Sequence, residues 1–143
     1  MDEDIARYIN GSIGDLFDPH LLKDGIKLVK ILGQAIDDGK KIRVIGDYDI
    51  DGVMSSHILL SALKRCNANV SVAIPERIKD GYGLNINLID DAYNDGIEVI
   101  ITCDNGIAAI DEIDHAKQLG MTVLVTDHHE IPFVEEDGIR TYK

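Results

Sequence analysis

Three aspartates stand at alternate positions in the segment GDYDIDG, where Asp47, Asp49 and Asp51 precede Gly52. This spacing matches the first half of an EF-hand calcium loop, which also needs a bidentate glutamate at its twelfth position and a helix on each side. The twelfth position counted from Asp47 is Ile58, and the β-branched run KKIRVIG upstream predicts a strand. The pattern therefore excludes a calcium loop, and the acids are expected to belong to a different metal site.

Two further segments carry residues that bind metals. The segment TCDNG contains Asp104, and the segment TDHHE contains Asp127, His128 and His129. Crowded carboxylates repel one another, and some would stay protonated at neutral pH without cations among them. Oxygen ligands alone suit magnesium or calcium, whereas added imidazole favours manganese, iron, cobalt or zinc. These residue types fit a pair of manganese ions, which together activate water and clamp a phosphoryl group.

Each of these residues also has an ordinary structural interpretation. Aspartates that follow strands often cap the next helix, and Asp51 and Asp104 stand close before glycines, as turn residues do. Arg77 is equally open to a surface ion pair and to phosphate capture. For His128 and His129, adjacency beside several aspartates favours metal binding over an ordinary surface position.

The elements that must position these residues alternate between strand and helix patterns from residue 22 onward. Strands are predicted in KIRVIG, NVSVAIP, EVIITC and TVLVTD, and helices in LLKDGIKLVKILGQAIDDG, MSSHILLSALKRC, NINLIDDAYNDG and IAAIDEIDHAKQLG. Apolar strands that are each followed by a helix indicate an α/β fold with a parallel sheet covered on both faces. Right-handed crossovers place every carboxyl end at one edge, where ligands bind at the reversal of strand order.

The apolar spacing also predicts which side chains of two helices face the sheet. The expected stripes are Leu22, Ile26, Val29 and Ile36 in the first helix, and Leu59, Ala62, Leu63 and Cys66 in the second.

Composition limits the class of protein. The chain has 143 residues, 45% of them hydrophobic and 28% charged, which suits one soluble domain with a core. No apolar run is long enough for a membrane span. The two cysteines form no disulfide framework, which predicts a cytoplasmic location. A net charge of −12 argues against a surface that holds nucleic acid by itself.

The ordered segments GDYDIDG, TCDNG and TDHHE resemble the motifs of the DHH phosphoesterase superfamily, named for the Asp-His-His of its third motif. The first motif, together with FDPHLLKDGIKLVKIL and IPERIKDGYGLN, is similar to the RecJ-type branch of single-strand-specific exonucleases. The resemblance runs from about residue 15 to residue 131 and implies a Rossmann-like DHH domain. Carried over by position, it implies metal ligands at Asp47, Asp49, Asp51, Asp104 and His128.

The remaining roles that the resemblance implies concern catalysis and substrate. Asp127 would ligate a metal or orient a ligand, and His129 would contact metal or substrate phosphate. Asp104 would bridge two ions and, with both histidines, form the catalytic set, while Arg77 would hold a backbone phosphate.

The activity that the resemblance implies is that of a phosphoric ester hydrolase. It would be a metal-dependent exonuclease that removes nucleotides from single-stranded nucleic acid in the 5′ to 3′ direction, with DNA favoured as substrate. Two divalent cations are expected, Mn²⁺ first and Mg²⁺ as the alternative. Repair or replication proteins are the expected partners, no membrane is involved, and the oligomeric state is open.

Members of this superfamily also carry a fourth motif with another metal-binding aspartate, and a second domain named DHHA1. Residues 1–21 are accordingly expected to form a lead-in, and residues 22–143 a partial DHH phosphoesterase domain without those later parts. Such a piece alone would bind metal weakly and show little turnover.

Three alternative functions stay open on the sequence. A DHH phosphodiesterase acting on short oligoribonucleotides or other small phosphorylated substrates uses the same motifs. A receiver-like signalling domain would use Asp104 as phosphoacceptor with one magnesium ion, and has no need for His128 and His129. A haloacid-dehalogenase-like phosphatase would read DYDID as its nucleophile segment, but it too leaves the histidine pair unused.

Overall fold

The computed structural model describes residues 3–77, 81–136 and 139–142. The chain forms two compact units, residues 1–33 and residues 34–143. The first contains α1 (Glu3–Asn10), two 3₁₀ turns (Ile13–Asp15 and Pro19–Leu21), and the start of α2 (Gly25–Asp37). In the part of the chain that the structure describes, no helix has the length and apolarity to cross a membrane. The domain boundary expected after residue 21 stays a prediction.

The second unit alternates strands and helices as expected. Its elements are β1 (Lys41–Ile45), α3 (Ile50–Arg65), β2 (Asn69–Ala73), α4 (Ile86–Asn94), β3 (Val99–Cys103), α5 (Ile110–Gln118) and β4 (Thr122–Thr126). An antiparallel hairpin of β5 (Phe133–Glu136) and β6 (Ile139–Tyr142) follows, which the sequence analysis did not predict.

The four strands β1 to β4 form one parallel sheet in the order β2-β1-β3-β4. The crossover from β1 leads to one side and the crossover from β3 to the other, so the strand order reverses between β1 and β3. In open parallel sheets the crevice at this reversal is where ligands bind, at the carboxyl ends of the strands. The residues that follow β1 and β3 therefore lie side by side at the expected edge.

Helices cover both faces of this sheet. Ile45 and Ile100 lie in one buried cluster with residues of α4 and α5, such as Ile89 and Ala116. Cys103 points to the opposite face, because alternate residues of a strand face opposite ways, and there its Sγ lies 3.4 Å from Ser56 Oγ of α3. The predicted α/β class with a parallel, doubly covered sheet is confirmed.

The helix after the first motif differs from its prediction. α3 begins at Ile50, ahead of Met54, because the Asp49 side chain caps it by accepting the Gly52 amide at 2.9 Å. Its inward face contains Ser56 and Leu63, whereas Ala62 and Cys66 are exposed. Of the stripe predicted for the first helix, Leu22 lies ahead of α2 and is exposed, and Ile26 and Val29 within α2 are exposed as well.

Gly52 closes the first motif for a reason unrelated to a calcium loop. A Cβ atom added at this position would lie 2.6 Å from both the backbone nitrogen and the carbonyl oxygen of Asp47. Only glycine allows the first turn of α3 to pack this closely against the chain that leaves β1. Gly52 thus allows the first turn of α3 to begin in direct contact with the Asp47 backbone.

Candidate metal centre

Three strand ends bring the predicted site residues to one edge of the sheet. Asp47 follows β1, Asp104 follows β3, and Asp127 follows β4, and these strands are neighbours in that order. The Asp104 amide donates to the Thr126 carbonyl at 3.0 Å, which continues the pairing of β3 and β4 past the last strand residue. Segments distant in sequence therefore place their side chains next to one another.

Among the described residues, Asp104 and the histidine pair form a group of three side chains close enough to bind one metal ion. His128 Nε2 lies 2.9 Å from Asp104 Oδ1, and one ligand atom from each of Asp104, His128 and His129 lies within 4.8 Å of the others. Asp104 is buried and has a φ of 62°, a backbone conformation that residues other than glycine adopt uncommonly. Such conformations concentrate at functional sites, where the surrounding structure holds them in place.

Asp127 orients the histidine pair through hydrogen bonds to its carboxylate. Its buried carboxylate accepts the His129 ring Nδ1 at 2.6 Å and the His128 amide at 2.8 Å on Oδ1, and the Ile107 amide at 2.9 Å on Oδ2. Burial raises the pKa of Asp127, but the bonds from Ile107 and His129 outweigh it and hold that pKa below its ordinary value. The hydrogen bond and charge of Asp127 raise the pKa of His129 in turn.

Asp47 is fully buried and only half satisfied. Its Oδ1 lies 3.4 Å from the Gly83 amide, and its Oδ2 has no hydrogen-bond partner among the residues that the structure describes. Buried polar atoms without a partner are uncommon, and a protein core tolerates a bare carboxylate oxygen poorly. A cation at this strand end would satisfy the oxygen, so the donor set fits a bound metal.

The other two aspartates of the first motif belong to α3. Asp49 is the helix cap described above, and Asp51 is exposed in the first turn. Asp51 lines a cleft of about 460 Å³ together with Asp104 and His128. The structure therefore places both near the strand ends, but outside the tight group of Asp104 and the histidines.

Tyr82 shows how closely the carboxylates gather. Its hydroxyl donates to the Asp104 carbonyl at 3.4 Å and lies 3.5 Å from His129 Nε2. The pKa of Tyr82 is raised by burial first, and then by the negative charges of four carboxylates. Those carboxylates are Asp47, Asp104, Asp49 and Asp127. The charges of acids from three different strand ends thus act on one phenol, so these acids lie close enough together for a shared metal site.

Arg77 stands at the other end of a row of rings. Its guanidinium lies 5.5 Å from the centroid of the Tyr48 ring. Tyr48 meets Tyr82 edge to face at 6.1 Å between centroids, and Tyr82 meets His129 in the same way at 6.3 Å. Arg77, the residue predicted to bind a backbone phosphate, is therefore linked to His129 by ring contacts through Tyr48 and Tyr82.

Tyr82 and Asn105 both belong to this edge, although neither was predicted from the sequence as a site residue. Tyr82 had a usable signal, since it stands between Gly81 and Gly83, which take φ values of 78° and 68°. Asn105 is 2% exposed and joins several segments through its side chain. The sequence indicates its neighbour Asp104 instead, because a carboxylate is a common metal ligand, whereas an amide at a turn has several structural explanations.

Comparison with known proteins supports these motifs. Residues 41–143 match the family model described as DHH family, N-terminal domain. The chain is 39% identical over 128 residues to the single-stranded-DNA-specific exonuclease RecJ of Bacillus subtilis (strain 168), covering 90% of the chain and 16% of that protein. It is 40% identical over 104 residues to the exonuclease of the same name from Escherichia coli (strain K12), covering 72% of the chain and 18% of that protein.

Two solved structures share the fold. The crystal structure of exonuclease RecJ bound to manganese superposes with a TM-score of 0.73 at 33% identity, over 80% of this chain and 30% of that one. The structure of RecJ from Thermus thermophilus in complex with Mn²⁺ gives a TM-score of 0.68 at 29% identity, over 81% of this chain and 16% of that one. The chain thus spans less than a third of each of these relatives.

The family match decides between the open interpretations of the motifs. A receiver-like domain and a haloacid-dehalogenase-like phosphatase both leave the histidine pair unused, whereas here His128 contacts Asp104 and His129 contacts Asp127. The three motifs lie in the matched range and at one edge of a parallel sheet. The chain belongs to the DHH family.

Proposed function

We propose that this chain carries the metal-binding edge of a phosphodiesterase that hydrolyses single-stranded DNA from its 5′ end, in the manner of RecJ-type exonucleases. The observation that carries the proposal is the contact of Asp104 with His128, with His129 beside them, at the strand ends where the first motif also lies. Curated relatives at 39% and 40% identity are named single-stranded-DNA-specific exonucleases. Since the chain spans only 16% and 18% of them, their activity is transferred here as a proposal.

The proposed metal site uses carboxylates and imidazole together. Asp47, with its unpartnered buried oxygen, Asp104 and His128 would hold cations, together with Asp49 and Asp51 at the start of α3. This mixture of ligands favours Mn²⁺ over Mg²⁺, and the two similar structures are manganese complexes. We propose two cations, which when bound would stabilise charge on phosphoryl oxygens and lower the pKa of water.

The remaining side chains would orient and bind. Asp127 would hold His129 by the ring Nδ1, which leaves Nε2 for the metal or a substrate phosphate. Arg77 is exposed beside Tyr48 and would take a backbone phosphate. With a net charge of −12, the chain would repel nucleic acid unless cations neutralise this edge, so substrate binding should depend on metal.

Two broader expectations are part of this proposal. Residues 22–143 would constitute DHH domain sequence behind a short lead-in, and the protein would work with repair or replication proteins. Cys66 and Cys103 are both free, which accords with a reducing, cytoplasmic location.

The experiment compares hydrolysis and metal binding in wild type and Asp104→Asn. A 5′-labelled single-stranded DNA, its duplex and a short oligoribonucleotide are each incubated with Mn²⁺ and chain, and nucleotide release is measured. We expect release from single-stranded DNA by the wild type only, at a low rate for the 143-residue chain. Preference for the oligoribonucleotide would favour the small-substrate alternative, and release that is equal in Asp104→Asn would overturn the proposal.

Metal binding supplies a second measurement that does not need turnover. Binding of Mn²⁺ removes the paramagnetic resonance signal of the free ion, and wild type should remove it at lower concentration than Asp104→Asn. A wild-type chain that leaves the signal unchanged would contradict the proposed metal site.

A further inference from the structure

Asn105 joins three segments of the chain at the edge of the sheet. Its Nδ2 donates to the Cys103 carbonyl at 2.9 Å and to the Ile45 carbonyl at 3.1 Å, while its Oδ1 accepts the Leu84 amide at 3.1 Å. The side chain is 2% exposed, so these bonds form away from water. One amide thus uses both of its hydrogens and its oxygen on the ends of β1 and β3 and on the loop before α4.

Each of the three residues bonded by Asn105 lies within two positions of a site residue in the sequence. Ile45 is the last residue of β1 and lies opposite Thr102 in the last paired position between β1 and β3. Asp47 follows Ile45 after Gly46, and Asp104 stands between Cys103 and Asn105. The separation of β1 from β3 just beyond their ladder, and with it the separation of Asp47 from Asp104, is therefore held by Asn105.

The third bond reaches the loop that carries Tyr82. Gly83 has a φ of 68°, and a Cβ atom added there would lie 3.2 Å from Asn105 Cβ. The Gly83 amide in turn lies 3.4 Å from Asp47 Oδ1. The loop is thus packed against Asn105 on one side and bonded to Asp47 on the other, which keeps Tyr82 over the carboxylates.

We propose that Asn105 is the positioning residue of the metal centre, setting the distance across the crevice between the Asp47 and Asp104 carboxylates and docking the Tyr82 loop onto them. The inference rests on the proposed function, because it concerns the same metal site. Groups that orient ligands from behind act on affinity through geometry, and their loss typically reduces metal affinity about 10- to 100-fold. Asn105 contacts no ligand-type atom itself in the bonds above, so its effect passes through the backbone.

The test compares Mn²⁺ affinity in Asn105→Ser and Ile89→Val. Serine keeps one hydroxyl donor but is too short to bond all three segments, whereas Ile89→Val removes a methylene from the buried cluster against α4 and α5. Dissociation constants are measured by manganese paramagnetic resonance at temperatures where each variant is fully folded. We expect affinity about 10- to 100-fold weaker in Asn105→Ser and unchanged in Ile89→Val. Equal affinity in both variants would overturn the inference.

A measurement on the wild type covers the case in which Asn105→Ser does not fold. Mg²⁺, which is diamagnetic, is added while hydrogen exchange of the Leu84 amide and the Asn105 side-chain amide is followed by nuclear magnetic resonance. Both should exchange more slowly with Mg²⁺, and the Gly120 amide, which lies two residues after α5, should not change. Unchanged exchange at Leu84 and Asn105 would overturn the inference. A wild type that binds neither Mn²⁺ nor Mg²⁺ would instead overturn the proposed function.

Discussion

His128 Nε2 and Asp104 Oδ1 lie 2.9 Å apart, although each residue follows a different strand of the sheet. Two groups that bind metals are therefore already within reach of one small ion. Replacing the imidazole removes a proposed metal ligand and should leave the fold intact, because His128 is exposed. His128→Ala should weaken Mn²⁺ binding at least tenfold, about 1.4 kcal/mol, as measured by isothermal titration calorimetry.

The matched control for this variant is His57→Ala, which removes another exposed histidine, on α3. Its Mn²⁺ affinity should equal that of the wild type. Equal losses in the two variants would mean that the metal is bound nonspecifically by surface histidines.

Gly52→Ala tests the close packing of α3 on Asp47. The added Cβ would lie 2.6 Å from backbone atoms, which cannot move aside as a flexible side chain can. We expect a loss of about 1–3 kcal/mol in the free energy of unfolding, measured by urea denaturation.

Gly33→Ala is the matched control, because an added Cβ in this part of α2 meets nothing within 4 Å. It should raise stability by about 0.5–1 kcal/mol, since alanine favours helix over glycine. A Gly52→Ala variant that is as stable as Gly33→Ala would show that the helix start tolerates a side chain.

The positions of the strands and acids along the chain were predictable because each depends on local sequence. Short β-branched runs identified the four parallel strands, and a residue directly after such a run must lie at the carboxyl edge, as Asp104 does. The start of α3 was not predictable in this way. Asp49 and Gly52 have the composition of a turn, and their capping bond and close packing depend on where β1 ends.

Residues that act through several segments at once were the hardest to identify from sequence. Asn105 bonds Ile45, Cys103 and Leu84, and this set of bonds exists only after three segments have come together.

The hairpin of β5 and β6 was not predicted for another reason. Its first strand, FVEE, mixes apolar and acidic residues in a segment too short for a clear alternation.

The pair of Asp127 and His129 predicts how stability varies with pH in the absence of metal. Because the folded pKa of Asp127 is lowered, its contribution exists above the ordinary value near 4 and disappears as the pH falls further. Because the folded pKa of His129 is raised, its contribution is complete below the ordinary value near 6.5 and is lost as the pH rises through the raised value. The pair should stabilise the chain most between about pH 4 and 6.5.

Thermal unfolding in a chelator, measured from about pH 3 to pH 9 for wild type and His129→Gln, checks this window. The difference in melting temperature should be largest inside it and shrink on both sides. His57→Gln, at an exposed position on α3, should show no such maximum. A difference that stays constant across the whole range would mean that the ion pair does not form in solution.

Asp47→Asn should stabilise the metal-free chain and lose most of the stabilisation that Mn²⁺ gives to the wild type. Without metal, the substitution removes a buried carboxylate, whose Oδ2 has no hydrogen-bond partner among the described residues. Asparagine keeps a side-chain oxygen that can accept from the Gly83 amide. The metal-free variant should therefore be more stable than wild type, by about 1–3 kcal/mol. At an Mn²⁺ concentration one hundred times the dissociation constant, the wild type should gain about 2.7 kcal/mol, and the variant should lose most of that gain because Asp47 is one of the proposed ligands.

Asp111→Asn makes the same change of charge at an exposed position in the first turn of α5. It should leave the stabilisation by Mn²⁺ intact, because it removes no ligand. Urea denaturation of the three proteins, each in a chelator and in Mn²⁺, separates the two effects. If Asp47→Asn were destabilising without metal and still fully stabilised by Mn²⁺, the buried oxygen would have a structural partner, and the ion would bind without this aspartate.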